Sequence, residues 1–306
     1  MNVIKKVPVP LCGVMLGFAV LGNLLQSYSE GIRYVCGAVA AVLLVLVLLK
    51  LICYPKLVAE DLKNPVLASA SGTFSMALML LSTYVAPFIY RAAFAIWILA
   101  ILLHVILIFY FTFKFMIHLQ MPQVHASYFI VYVGIAVAAV TAPVYDQYTI
   151  GTAAFWFGLV SLVLLLILVS IRYIRFREMP EMTKPLFCIY AAPASLCVVG
   201  YVQSVTPKSY ALLMGMYIAA CILYIVAFIR LIMCLKLKFY PTYAAFTFPF
   251  VISANASKMT MACLANMGRP MSALSYVVTI ETLIAVILMC YVLVRYLMFL
   301  FAGEKQ

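Results

Sequence analysis

The chain has 306 residues, of which 68% are hydrophobic and only 9% charged. A soluble domain carries about 25% charged residues, and the eight acidic side chains present cannot hydrate a surface of this size. The composition therefore excludes a cytosolic enzyme, a nucleic-acid binder and a disordered chain. It leaves a polytopic membrane protein whose apolar helices face lipid.

Lys5 and Lys6 precede a first apolar run that contains Pro8, Pro10 and three glycines. No small-x-small cleavage pattern stands before the polar Gln26-Ser27-Tyr28-Ser29, so this run reads as a retained first helix. Apolar stretches of about 18 or more residues then place ten spans at 8–27, 33–54, 65–88, 91–117, 127–145, 150–173, 184–204, 208–235, 240–267 and 272–301. The connections are short, which makes residues 1–306 one transmembrane domain of the all-α class.

Of the twenty Lys and Arg residues, Arg33, Arg91, Lys208, Lys258 and Arg269 fall on one side of this arrangement. The other fifteen, from Lys5 to Lys305, fall on the opposite side. That asymmetry places both termini in the cytoplasm by the positive-inside rule. It also accounts for the net charge of +12 without a basic nucleic-acid face. The nine cysteines lie in or beside apolar runs with no metal-ligand spacing, so neither a disulfide framework nor a metal site or cofactor is expected.

Prolines punctuate the odd spans. Pro10, Pro65, Pro122, Pro185 and Pro241 precede or open them, and Pro87, Pro143, Pro193 and Pro249 fall within them or near their ends. The even spans contain no proline and are rich in Leu, Ile and Val. A proline removes a backbone donor and bends a helix, and the freed carbonyl must be satisfied inside protein or at a wetted cavity. The odd spans are thus expected to be inner and the even ones lipid-facing. A period of about two helices describes five hairpins with parallel topology, which in a ring would set five kinked helices about a central axis. The small residues of the odd spans, as in ASASG at 68–72 and AAPAS at 191–195, permit close approach there. Gly13, Gly17, Ser71 and Pro193 are accordingly pore-lining candidates.

Charges inside membranes point to function. Lys258 and Glu281 each lie about nine residues from the outer ends of spans nine and ten, and at matching depth they are expected to form a buried ion pair. His104 sits mid-span in helix four, either packed or acting as a proton relay. His118 and His125 flank the loop around Pro122 and read as solvated. Asn23 and Asn255 lie on inner spans, facing either a pathway or a neighbouring helix. No HExxH, GxSxG, P-loop or paired intramembrane aspartate occurs, so neither an ATP-driven pump nor an enzyme is expected.

Within FTFPF at 246–250, Phe248 immediately precedes the intrahelical Pro249. Phe248, Ile252, Asn255 and Met259 follow 4-3-4 spacing and share one helix face. That face either packs conventionally or lines the axis with Phe248 as an apolar plug.

Four segments carry a family resemblance: VPVPLCGVMLGFAVLGNL at 7–24, KNPVLASASGTFSMALMLL at 63–81, KPLFCIYAAPASL at 184–196 and YPTYAAFTFPFVISA at 240–254. In order and spacing the chain resembles the tellurite-resistance/dicarboxylate transporter family, which includes bacterial homologues of the plant guard-cell slow anion channel. The resemblance implies ten transmembrane helices in five hairpin repeats, a central pore, a bacterial inner-membrane location and a homotrimer with one pore per subunit. It also implies that an inner-helix phenylalanine blocks the pore, and the matching residue is Phe248 in the TFP motif. Family members often open span five with a Pro-Ala-Trp-like stretch. Here QVHASYF at 123–129 puts Ser127 in place of the large aromatic.

The expected function is passive conduction of small inorganic or organic anions, with selectivity set by pore width, a cationic cytoplasmic vestibule and weak polar contacts. The alternative is a coupled carrier of dicarboxylates, tellurite or sulfite that uses Glu281 or His104 for proton coupling.

Overall fold

The computed structural model describes residues 3–301; Lys305, counted above, lies outside them. The described residues form helices and turns with no strand. The principal helical segments are α1 (Leu11–Leu25), α2 (Glu30–Cys53), α3 (Pro65–Val85) and α4 (Tyr90–Met116). They continue as a broken segment α5 (128–145), then α6 (Tyr148–Arg175), α7 (Glu181–Ser204), α8 (Tyr210–Cys234), α9 (Phe248–Asn266) and α10 (Leu274–Phe301). Two short helices, Val3–Lys6 and Pro55–Asp61, lie at one end of the bundle.

Seven of these segments, α2, α3, α4, α6, α7, α8 and α10, are long and apolar enough to cross a membrane. The remaining three depart for identifiable reasons. At 15 residues α1 spans about 22 Å, less than the ~30 Å hydrocarbon thickness. The α5 segment is divided among α and 3-10 pieces. Polar Ser253, Asn255, Ser257 and Lys258 interrupt α9. Short or polar helices survive in such a bundle only when protein, not lipid, surrounds them.

Burial follows the odd–even alternation. Of the most apolar stretch of α7, 89% is buried, and of α3, 72%, against 22% for α4 and at most 39% for α2, α6, α8 and α10. The odd segments form a closed circuit, in which α1 packs on α3, α3 on α5, α5 on α7, α7 on α9 and α9 back on α1. Each even helix packs outside the odd segment that precedes it.

Proline acts in the odd segments by restarting helices. Asn64 caps the first turn of α3 at Pro65 by accepting from the Val66 and Leu67 amides. The segment is then interrupted at Ser71. In α7 a 3-10 stretch, Glu181–Tyr190, precedes the α-helical part that contains Pro193. The 3-10 turn Pro241–Phe246 precedes α9, and the chain breaks at Thr247, where φ is −98° and ψ −94°. Pro249 therefore stands in the first turn of a new helix and is not a kink within a continuous one. A proline is accommodated there because the first-turn amides have no intrahelical acceptor.

Thr247 anchors the break by donating to the carbonyls of Ala244 and Gly13. Polar side chains also tie neighbouring odd segments together. Ser69 donates to Ser127 at 2.8 Å, Tyr145 to Ser82 at 2.7 Å, and Ser195 pairs with Ser253 at 3.0 Å. Such interhelical bonds are worth about 0.6–2 kcal/mol in a membrane.

Candidate functional site

Two cavities lie inside the circuit of odd segments. The first has a volume of about 60 Å³, and every residue around it belongs to α1, α3, α5, α7, α9 or the short stretches leading into them. Its wall is apolar, with Met76, Ile130, Val133, Leu186, Ile189 and Ala245 prominent, and polar only at Thr73, Ser127 and Thr242. The second has a volume of about 300 Å³ and is lined by the other ends of the same five segments together with Arg33 at the start of α2. It carries Asn23, Gln26, Thr83, Thr141, Gln203, Asn255, Lys258 and Arg33, and no acidic residue.

The two walls share Leu196 on α7 and Phe248 on α9. Phe248 is buried, 6% exposed, at the first position of α9. The break at Thr247 and the restart at Pro249 thus place an aromatic residue in the walls of both the apolar and the polar compartment. The 4-3-4 face of α9 continues from it, with Ile252, Asn255 and Met259 in the polar wall.

The other candidates divide. Gly13 and Pro193 line the apolar cavity, and so does Pro249. Gly17 lines neither cavity. It faces outward, where a Cβ would stand 2.8 Å from Met289 Sδ and 3.0 Å from Thr247 Cβ. Ser71 is likewise displaced from the axis and borders a separate groove with Val9, Cys12, Lys50 and Leu103. Both were placed by residue size, which reports close approach but not the direction of the approaching neighbour.

The expected Lys258–Glu281 ion pair does not form. Lys258 Nζ donates to the Leu24 carbonyl at 2.7 Å and to Ser27 Oγ at 2.6 Å. Glu281 accepts from Ser257 Oγ at 2.5 Å, and Ser257 in turn accepts from Tyr217 at 3.0 Å. Matching depth on two helices leaves the azimuth open. Successive helical residues point about 100° apart, so when Ser257 faces α10, Lys258 turns toward α1 and the polar cavity.

His104 is packed between Ser75 Oγ, 2.7 Å from Nδ1, and the Val131 carbonyl, 3.0 Å from Nε2. A carbonyl can only accept, so Nε2 carries the proton and Nδ1 is left to accept from the serine. His118 is exposed, whereas His125 is buried beside Arg172, which corrects the expectation of a solvated pair.

Arg33 escaped sequence reasoning as a site residue. Its Nε donates to Asn23 Oδ1 at 3.3 Å and one Nη to the Thr83 carbonyl at 3.5 Å, while the other Nη lies 3.6 Å from Glu30. A cation in the first turn of a helix opposes the helix dipole, and this was the signal available. Leu196, in the shared wall, carried no signal among the many leucines.

A helical bundle with seven segments long and apolar enough to cross a membrane, and with two cavities inside its circuit of odd segments, is the architecture of a multi-pass membrane protein. The chain matches the voltage-dependent anion channel family (SLAC1) over residues 6–297, and it belongs to that family. Membership makes anions the transported class and places the chain among transporters and channels, not enzymes. No curated protein is matched by the chain.

Proposed function

We propose that the protein is a passive anion channel in which Phe248 is the gate. The single observation that carries this reading is the position of Phe248 in the walls of both axial cavities. A ring at that junction blocks ions sterically, and the dry apolar compartment beyond adds a dewetting barrier. Opening requires the ring to swing aside or the 3-10 turn Pro241–Phe246 to shift. The break at Thr247 already decouples that turn from α9.

In this reading all ten helical segments cross the bilayer as five hairpin repeats. The three that fall short in length or apolarity, α1, α5 and α9, are all inner segments of the odd circuit. The cation asymmetry supports cytoplasmic termini, and the resemblance noted above supports an inner-membrane location and a trimer with one pore per subunit.

The coupled-carrier alternative lacks its coupling group on the axis. Glu281 and His104 line neither cavity, and both are engaged by serine hydroxyls. The test is electrical. Purified protein in a planar bilayer should pass little current as wild type and a large anion-selective current as Phe248→Ala, with bi-ionic reversal potentials showing weak discrimination among small monovalent anions. Unchanged conductance in correctly assembled Phe248→Ala protein rejects the gate.

A further inference from the structure

The polar cavity contains two cations and no acid, and their bonding states differ. The guanidinium of Arg33 donates two of its five N–H bonds, to Asn23 at 3.3 Å and to the Thr83 carbonyl at 3.5 Å, and its charge is offset by Glu30 at 3.6 Å. Lys258 has three protons and spends two of them on neutral oxygens, the Leu24 carbonyl and Ser27 Oγ. Among the described residues the ion pairs are Arg33–Glu30, Lys50–Asp61 and Lys63–Glu60, so no carboxylate neutralises Lys258. A lysine with no counter-ion is costly where it faces lipid. Here it faces the axis instead.

The amides around it are donors in waiting. Arg33 Nε fixes Asn23 with its Oδ1 toward the guanidinium, which leaves both Nδ2 protons uncommitted. Asn255 and Gln203 line the same wall, and their side-chain amides make no hydrogen bond among the described residues.

We propose that this cavity is a holding site for one small, hydrated monovalent anion, contacted by the free proton of Lys258 and the amides of Asn23 and Asn255, with Arg33 supplying background potential. The inference rests on the channel reading and adds to it a saturable step in front of the gate. The chemistry selects the ligand class. A volume of about 300 Å³ holds on the order of ten waters, so the ion keeps most of its shell. A single free charged donor suits chloride or nitrate. A dicarboxylate needs two convergent uncompensated charges, whereas Glu30 already offsets Arg33 and leaves Lys258 as the only uncompensated cation among the described residues of this wall.

The experiment uses the full chain in the Phe248→Ala background, with conductance measured against chloride concentration at constant ionic strength maintained with gluconate. Lys258→Met should raise the half-saturating chloride concentration by at least about tenfold, as expected for loss of one charge-assisted hydrogen bond. Lys258→Arg should restore it, and Asn255→Ala should raise it by a smaller factor. An unchanged curve for Lys258→Met overturns the proposal while leaving the gate intact. The converse failure is separable, because thermal protection of the wild type by nitrate over gluconate, lost in Lys258→Met and in Asn255→Ala, reads the site without any current. Protection that persists in both variants rejects the site even if Phe248→Ala conducts nothing.

Discussion

Ser257 and Glu281 are joined by a 2.5 Å hydrogen bond across the α9–α10 interface, and this bond holds the carboxylate away from the axis. Ser257 donates to Glu281 while accepting from Tyr217, so the three side chains form one directed chain behind the conduit. Glu281 has no cation partner among the described residues. Glu281→Gln preserves an acceptor for Ser257 and removes a buried charge, and its thermal stability should equal or exceed that of the wild type. Glu281→Ala strands the Ser257 donor and should cost about 1–3 kcal/mol. Both variants should conduct normally once Phe248 is replaced. A pH-gradient-dependent flux in the wild type that disappears in Glu281→Gln would restore the carrier alternative.

Phe248→Ala should raise anion conductance by at least about tenfold, equivalent to removing ~1.4 kcal/mol of barrier. Phe248→Leu keeps a smaller apolar plug and should give an intermediate current. Because Phe248 borders cavities on both sides, the truncation should fall below the ~3–5 kcal/mol usual for deleting a fully packed core aromatic. Thermal unfolding in detergent checks this directly.

Gly17 permits α1 to meet both α9 and α10. A Cβ there falls 2.8 Å from the sulfur of buried Met289 and 3.0 Å from Thr247 Cβ. Gly17→Val should destabilise by about 1–3 kcal/mol through overpacking, and Met289→Ala in the same chain should recover part of the loss. The readout is the melting temperature of the double variant against the two singles. Additivity would show that the sulfur is not the obstacle.

His125 precedes α5, outside the spanning segments. Burial first, and then the Arg172 guanidinium, lower its imidazole from the ordinary 6.5 to about 4. A histidine whose value is depressed on folding takes up its proton more readily in the unfolded chain. Its stabilising contribution is therefore complete above pH 6.5 and is lost progressively as pH falls toward 4. The wild-type melting temperature should decline across that window. His125→Asn should flatten the decline, and an unaltered slope would assign the pH dependence to other groups.

Much of the architecture was legible because apolar runs and proline placement are local properties with direct physical meaning. A proline-bearing segment needs protein or water around its freed carbonyls, and this alone separated inner from outer helices. Phe248, Ile252, Asn255 and Met259 all line the polar cavity, as residues at 4-3-4 spacing can because 3.6-residue periodicity fixes relative azimuth within a helix. Between helices the same reasoning failed. Lys258 and Glu281 were matched by depth, but rotation about each axis is set by packing, and Gly17 and Ser71 were misplaced for the same reason.

The sequence by itself determined which segments are buried inside the bundle and which lie on its outside, since those outcomes depend on the composition of each segment. Only the tertiary structure decided where the break at Thr247 points Phe248, that Lys258 turns to the axis while Ser257 occupies Glu281, and that Arg33 joins the polar wall from a neighbouring helix. Those placements depend on the rotation and translation of helices against one another. Many side chains far apart in the chain set these jointly, and no local pattern records them.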